Sequence, residues 1–422
     1  MKNLTLLLFT FFTSVLSYAQ SDYNSVLTKA KSQNKLVLLD FYTDWCVPCK
    51  QMDEHIFTQQ RVKNVIDRDF IRLRIDAEKG EGIALAEKYQ VSGYPTLLFL
   101  NSDGLETHRM QGAPFNTNFF LEVLNVVEGK SVDMATLLLK FRTSTGSEKL
   151  KVAQEIALVG PAHFILLRGE AQKVMQGEVK TAVDYYFANK NVTEMINRDD
   201  FEIISMFLDG ASNEKPQIIF LYKNYEKFKS VVGEEDLAPF VVKTNNQSIQ
   251  EYSRRGDLIW KRFVGYIGSE LASAYAFMGE KNAKELMTCV ANINAAVFVD
   301  KNFDRYITLR DKYTELLKTS GEDAKGNYLY AAQVLYNYSN GELSVKQVTK
   351  GLEWLQKNVS ENFNLPATYM LMGDFYAMLP DKKAEAIANY NRCVMEAKKQ
   401  GERVEAMYLG KAKTKIDKLR VK

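Results

Sequence analysis

The feature that most limits the fold of this 422-residue chain is a change of hydrophobic period near Gly129-Lys130. Before it, short apolar runs of strand character alternate with helical stripes. After it there is little strand alternation, only apolar positions at helical spacing, broken by "TSTGS", "VGP", "DGASNEKP", "VVGEED", "SGED" and "SNGELS". A chain of this length exceeds one ordinary core, so the change of pattern predicts at least two domains of different class.

In the first part, Asp22 to Gln33 carries Val26, Leu27 and Ala30 at helical spacing. "KLVLLDFY" is a continuous apolar run, as in a strand buried on both faces. Cys46 to Phe57 reads as a helix with Met52, Ile56 and Phe57 on one side. "IRLRID" alternates as a strand, "GIALAEKYQV" is a short helix, and "TLLFL" is a strand. Ser102-Asp103-Gly104 turns a hairpin into the partner strand "LETHRM", and Asn116 to Glu128 closes the unit as a helix. The order α-β-α-β-α-β-β-α predicts an α/β layer fold whose last two strands are antiparallel.

The first segment, "MKNLTLLLFTFFTSVLSYAQ", has one lysine, an apolar stretch from Leu4 to Leu16, and small residues Ser17 and Ala19 before Gln20. It reads as a signal peptide over 1–19, with an uncleaved anchor as the alternative. The stretch is shorter than the ~18–20 residues of a spanning helix. No cysteine follows the cut, so a lipid anchor is not expected. The mature chain is expected to be exported, periplasmic or otherwise outside the cytoplasm, soluble and without a stable membrane span. Net charge is +3 and spread along the chain, so no nucleic acid is expected as a partner.

Export gives the cysteines their meaning. There are four, Cys46, Cys49, Cys289 and Cys393, too few for a disulfide-stapled scaffold of this length. Only Cys46 and Cys49 are close, in "DFYTDWCVPCK". A strand ending at Tyr42 and a helix starting near Cys46 place the first thiol at a helix N-terminus. Unpaired N–H groups there favour an anion, drawing the thiol pKa from ~8.5 toward ~7 or below. Pro48 fits the first turn, where a missing N–H costs nothing. Zinc needs four ligands, and beyond Cys46, Cys49 and His55 there is no second CxxC or Cys/His pair. Covalent haem needs His after the second cysteine, where Lys50 stands.

These residues carry a resemblance. "LDFYTDWCVPCK" resembles the active-site segment of the thioredoxin family, with Trp45 before the nucleophile and Asp40 six residues ahead. "IRLRID" resembles the family's central strand. "VSGYPTLLFLNSDGLETHRMQGA" resembles the segment with its cis-proline and closing hairpin, Pro95, Gly104 and Gly112 falling at the expected places. The likeness covers about a quarter of the chain and predicts a thioredoxin-like domain over 20–130. It implies a redox-active disulfide with no other cofactor. Cys46 would attack a substrate disulfide and Cys49 would resolve the mixed disulfide. Asp40 would exchange the proton of Cys49. Pro95, if cis, would set the Tyr94 backbone to pair with an extended substrate, with Trp45 covering the site and Gly112 beside it. An inert CxxC within a thioredoxin shell is the alternative.

The sequence departs from the family's common pattern at four points. Val47-Pro48 separates the cysteines in place of Gly-Pro, Tyr94 replaces a smaller aliphatic residue, Arg72 stands where lysine often partners the buried acid, and the usual first strand is absent. Potentials in the family span about −270 to −120 mV; Pro48 points to a reductant or isomerase rather than a strong oxidant. Partners implied are disulfide-containing exported proteins and, for a reductant, a membrane electron donor.

Residues 131–422 are expected to form an all-α helical-repeat domain, an α-solenoid of one region or two sub-regions. Ala367 to Gln400 resembles a tetratricopeptide unit through Leu371, Gly373, Tyr376, Ala384, Ala388 and Tyr390. Ala384, Ile387, Ala388, Val394 and Met395 are read as its apolar stripe. Stacked helix pairs bury a core only together and present binding surfaces. Hence a second functional reading, a non-catalytic scaffold that keeps a thioredoxin-like docking module. Cys289 and Cys393 are expected to be buried small side chains, with a bond between them as the alternative. His108 and His163 read as structural. The basic tail "KAKTKIDKLRVK" reads as a solvated helix end, or as a contact for an anionic surface.

Overall fold

The computed structural model describes residues 22–210, 214–321 and 324–421. The expected signal peptide lies outside the described residues. The chain divides into two compact units between Asn191 and Val192.

The first unit opens with α1 (Asp22–Gln33), β1 (Leu36–Tyr42), α2 (Val47–His55), α3 (Gln60–Asp69), β2 (Phe70–Asp76) and α4 (Glu81–Lys88). It continues through β3 (Thr96–Leu100), β4 (Glu106–Gln111) and α5 (Thr117–Val127). The sheet order is β2-β1-β3-β4, with β1 parallel to β2 and antiparallel to β3. "IRLRID" is therefore an edge strand in this sheet, not a central one. Among the described residues no strand precedes α1 to flank it.

Alternation along β1 divides its side chains between two layers. Val37, Leu39 and Phe41 join Tyr23, Ala30, Ile75, Leu85 and Tyr89 in a core that draws on α1 and α4. On the other face Phe57 meets Phe120 of α5 edge to face, and Phe70 meets Phe99 in the same way. Asp40 falls on this second face with Leu36 and Leu38, which is how a carboxylate comes to lie inside an apolar layer.

Three further helices, α6 (Met134–Thr143), α7 (Gly146–Ile165) and α8 (Gly169–Asn189), belong to the same unit. Asp133 caps α6 by accepting from the N–H groups of Ala135 and Thr136, satisfying donors that a helix start leaves open. Helix α7 packs on α5 and α8. Its His163 Nε2 lies 2.8 Å from Ser131 Oγ, which donates to Glu122 of α5. The switch to an all-helical chain thus falls after α5, while the compact unit runs three helices further.

The second unit is all helix among its described residues. The tetratricopeptide-like stretch forms the pair Leu365–Ala377 and Lys383–Lys398. The two helices approach so closely that a Cβ on Gly373 would lie 2.4 Å from Tyr390 Cε1. Tyr390 is fixed there by donating to Asp374 Oδ1 at 2.8 Å. The fully buried face of Lys383–Lys398 is Ala386, Tyr390, Cys393 and Ala397; of the expected stripe only Ile387 and Val394 are half-buried, Val394 against the same core. Ala384, Ala388 and Met395 point to solvent, because the i, i+4, i+7, i+11 face through Tyr390 is the one that meets Gly373. Cys289 and Cys393 are both buried and free.

Candidate active site

The geometry follows from the register of the sheet. Phe41 sits opposite Thr96, Thr96 opposite Gln111, and Tyr42 opposite Asp76. The end of β1, the start of β3, the end of β4 and the end of β2 therefore lie at one edge. Three of these four ends adjoin a candidate residue: Cys46 after β1, Pro95 before β3, Gly112 after β4.

Cys46 is the N-cap of α2. Its Sγ accepts from the Cys49 backbone N–H at 3.2 Å, and Pro48 occupies the first turn. Cys46 and Cys49 are joined by a disulfide, with their Cα atoms 5.3 Å apart. The cap partner of the helix start is thus a sulfur, in the place where the helix best stabilises negative charge. The Tyr94–Pro95 peptide bond is cis. Thr96 Oγ1 donates to Gly93 O at 2.7 Å and Gly112 N–H to Pro95 O at 2.8 Å, which fixes this turn from both sides. Gly112 has φ 92°, a conformation that costs a side chain but not glycine.

Asp40 is 1% exposed. One oxygen, Oδ2, accepts from Arg72 Nη2 at 2.5 Å, and the other, Oδ1, has no partner. Burial pushes its pKa above the ordinary carboxylate value, against the pull of Arg72. Arg72 is shared: it also donates to Asp53 Oδ1 at 3.2 Å and lies over the Phe57 ring at 3.4 Å. Asp53, on α2, takes a second donor from Arg74 at 2.5 Å, and Arg74 stacks on Tyr42. Burial is the larger effect on Asp40, and the negative charge of Asp53 on the far side of Arg72 adds to it.

Trp45 is 64% exposed. Its Nε1–H donates to Glu78 Oε2 at 3.0 Å, and its ring meets the edge of Tyr94 with centroids 5.9 Å apart. All seven candidate residues of the sequence thus lie on the β1–α2 segment or at the same sheet edge. Asp53, Arg74 and Glu78 were not anticipated. The signal for Arg74 was present, since it shares a strand face with Arg72. His55 is exposed, and among the described residues no group of three or more His, Cys, Asp or Glu could hold a metal ion.

Residues 18–102 match a family model described as thioredoxin-like. The chain is 38% identical over 86 residues to the thiol:disulfide interchange protein DsbD of Salmonella typhimurium, covering 20% of this chain and 15% of that protein. It is 36% identical over 114 residues to DsbD of Pseudomonas fluorescens, covering 26% and 19%. Solved structures similar to it include a thioredoxin from Thermus thermophilus, at 27% identity, 26% of this chain, 85% of that chain and TM-score 0.24. Another is the oxidised C-terminal domain of DsbD from Neisseria meningitidis, at 28% identity, 26%, 92% and TM-score 0.22. The chain thus spans less than a fifth of the length of these curated relatives. Its N-terminal part is a thioredoxin-like domain carrying a CxxC pair, followed by an all-helical region.

Proposed function

We propose that this protein is an exported thiol–disulfide oxidoreductase that reduces or isomerises protein disulfides through Cys46 and Cys49, with the helical region recruiting its partners. The observation that carries the reading is the Cys46 sulfur at the N-cap of α2, bonded to Cys49 one turn on, with a buried acid on the strand behind. In the reduced protein the Cys46 thiolate attacks one sulfur of a substrate disulfide. That bond breaks, a new Cys46–substrate bond forms, and the displaced substrate sulfur leaves as a thiolate and takes a proton. Asp40 accepts the proton of Cys49, whose thiolate then attacks Cys46 Sγ. The Cys46–Cys49 bond closes and the second substrate sulfur leaves. The substrate gains two electrons and two protons, and the protein is oxidised.

The cis Tyr94–Pro95 turn gives an extended substrate a backbone to pair with, and Trp45 and Gly112 border the same edge. Return to the dithiol form requires two electrons from a dithiol donor; for an exported protein that donor is a membrane thiol carrier. The likeness to DsbD, a thiol:disulfide interchange protein by name, supports the reaction class. The test is insulin reduction by the full chain beside Cys46→Ser. Turnover by the wild type, abolished in the variant, is expected. No turnover by the wild type would favour the scaffold reading, in which the helices bind and the pair is inert.

A further inference from the structure

The last helix of the second unit, Glu402–Val421, buries little: of its described side chains only Ala412 is fully buried. A polar knot ties it to the tetratricopeptide-like pair. Lys415 Nζ meets Asp374 Oδ1 at 2.5 Å, and the same oxygen accepts from Tyr390 at 2.8 Å. Beside this knot lies a groove of about 1100 Å³, bordered by Asn327–Tyr338, Leu365–Ala377 and Glu402–Val421. That is at the upper end for a small-molecule site, about 300–1,000 Å³, and suits a stretch of polypeptide.

Exposure separates the floor of the groove from its rim. Tyr390 and Asp374 are buried, Tyr336, Met378 and Leu419 half-buried, and Lys411 and Lys418 exposed. The floor asks for no charge, because the Lys415 ammonium already matches Asp374 and the wall of Tyr336, Met378 and Leu419 is apolar. The rim does ask for one. Of the lysines on this helix only Lys415 is ion-paired among the described residues. From Lys411 to Val421 the sequence holds five cations and one carboxylate, Asp417. Lys418 and Arg420 suit the negative end of the helix, but that effect fades within a turn and does not reach Lys411. A flat bilayer would meet Lys413 and Arg420, outside the groove, as readily as the rim lysines, and would leave the recessed apolar wall unfilled.

We propose that this groove takes an acidic peptide segment with apolar side chains at intervals, its carboxylates on Lys411 and Lys418 and its apolar groups against Tyr336, Met378 and Leu419. The proposal rests on the recruiting role of the helical region and gives that role a ligand chemistry: an acidic stretch of the protein to be reduced.

The probe is a fluorescein-labelled peptide of alternating glutamate and leucine, followed by anisotropy with the oxidised full chain at low ionic strength. Saturable binding is expected, weakening as added salt screens the exposed charges. The same peptide with glutamine in place of glutamate binds less well. The Lys411→Glu/Lys418→Glu double variant should bind the acidic peptide about tenfold more weakly, because two attractions become repulsions. Lys413→Glu/Arg420→Glu makes the same change of net charge on the same helix outside the groove, and stays within about twofold of the wild type. All four of these side chains are exposed, so neither reversal disturbs the fold. No saturable binding overturns the proposal. So does an equal loss in both double variants, since charge would then act at large and not through the groove. Binding to phosphatidylglycerol vesicles in place of the peptide would assign the lysines to a membrane surface and overturn it too. Failure of the recruiting role looks different: the wild type would bind the peptide, yet reduce a disulfide substrate carrying the glutamate–leucine segment no faster than one carrying the glutamine–leucine segment.

Discussion

Asp40→Asn is predicted to stabilise the protein at neutral pH while slowing its chemistry. Asparagine has the shape of the protonated acid and keeps an oxygen for Arg72. In the wild type, burial raises the folded-state pKa of Asp40 above the ordinary 3.8, and Arg72 only partly opposes this. The charged groups that face Asp40 are Arg72, Arg74 and Asp53. Because the folded pKa is the higher one, the contribution of Asp40 to stability is intact below pH ~3.8 and is lost as pH rises through the folded value. Each unit of separation corresponds to about 1.4 kcal/mol. The variant has no such loss, so its advantage is nil near pH 4, grows through the folded pKa, and levels off above it. The plateau advantage is positive, and its size follows the separation of the folded and unfolded values. For a unit of this size each kcal/mol is about 2–4 °C in thermal midpoint. Arg72 does not become an orphan charge, because Asp53 and the Phe57 ring remain. The assay is thermal unfolding of the oxidised full chain at pH 4, 6 and 8 for both proteins. A variant less stable than the wild type at pH 8 would refute the reasoning, since the Arg72 pair would then outweigh burial.

Further outcomes follow from packing and chemistry. Gly373→Ala places a Cβ against the Tyr390 ring, which its bond to Asp374 holds in place; overpacking of about 1–3 kcal/mol should exceed the helix gain of about 1 kcal/mol, read as a lower melting midpoint. Phe120→Ala removes a fully buried ring from the layer behind the disulfide and should cost about 3–5 kcal/mol in urea unfolding. Burial pushes the Cys393 thiol up to about 12, so native protein at pH 8 should leave it unlabelled by iodoacetamide over hours, whereas denatured protein labels promptly; prompt labelling of the native chain would contradict its placement.

The strands were legible because their buried runs are unmistakable. "LVLLDFY" and "TLLFL" are apolar along nearly their whole length, and each became a strand inside the sheet. Helix α3 was not read, because Val62 and Ile66 are the only side chains it buries. Two residues give too short a stripe against a polar background for periodicity to show. The position of β2 at the edge depends on the order of the strands among the described residues, a fact of topology rather than of its own residues. In the site, local signals gave Cys46 as the start of a helix, and the resemblance gave Asp40 and Pro95. Asp53, Arg74 and Glu78 carry no local pattern. They matter through contacts between elements 19 to 33 residues apart, which only the packed sheet reveals. The stripe on Lys383–Lys398 was misread by its orientation. Alanine and methionine suit either side of a helix, and the tight approach of Gly373 to Tyr390 decides which side is buried.

The most direct measurement is the redox state of all four cysteines across a glutathione series, resolved by differential alkylation and mass spectrometry on the full chain. Cys46 and Cys49 should pass together from dithiol to disulfide as one two-electron couple, with a midpoint between about −270 and −120 mV, while Cys289 and Cys393 stay reduced throughout. If Cys46 and Cys49 took up separate glutathione adducts and never closed on each other, the pair would not be a redox couple, and the account would be contradicted at its centre.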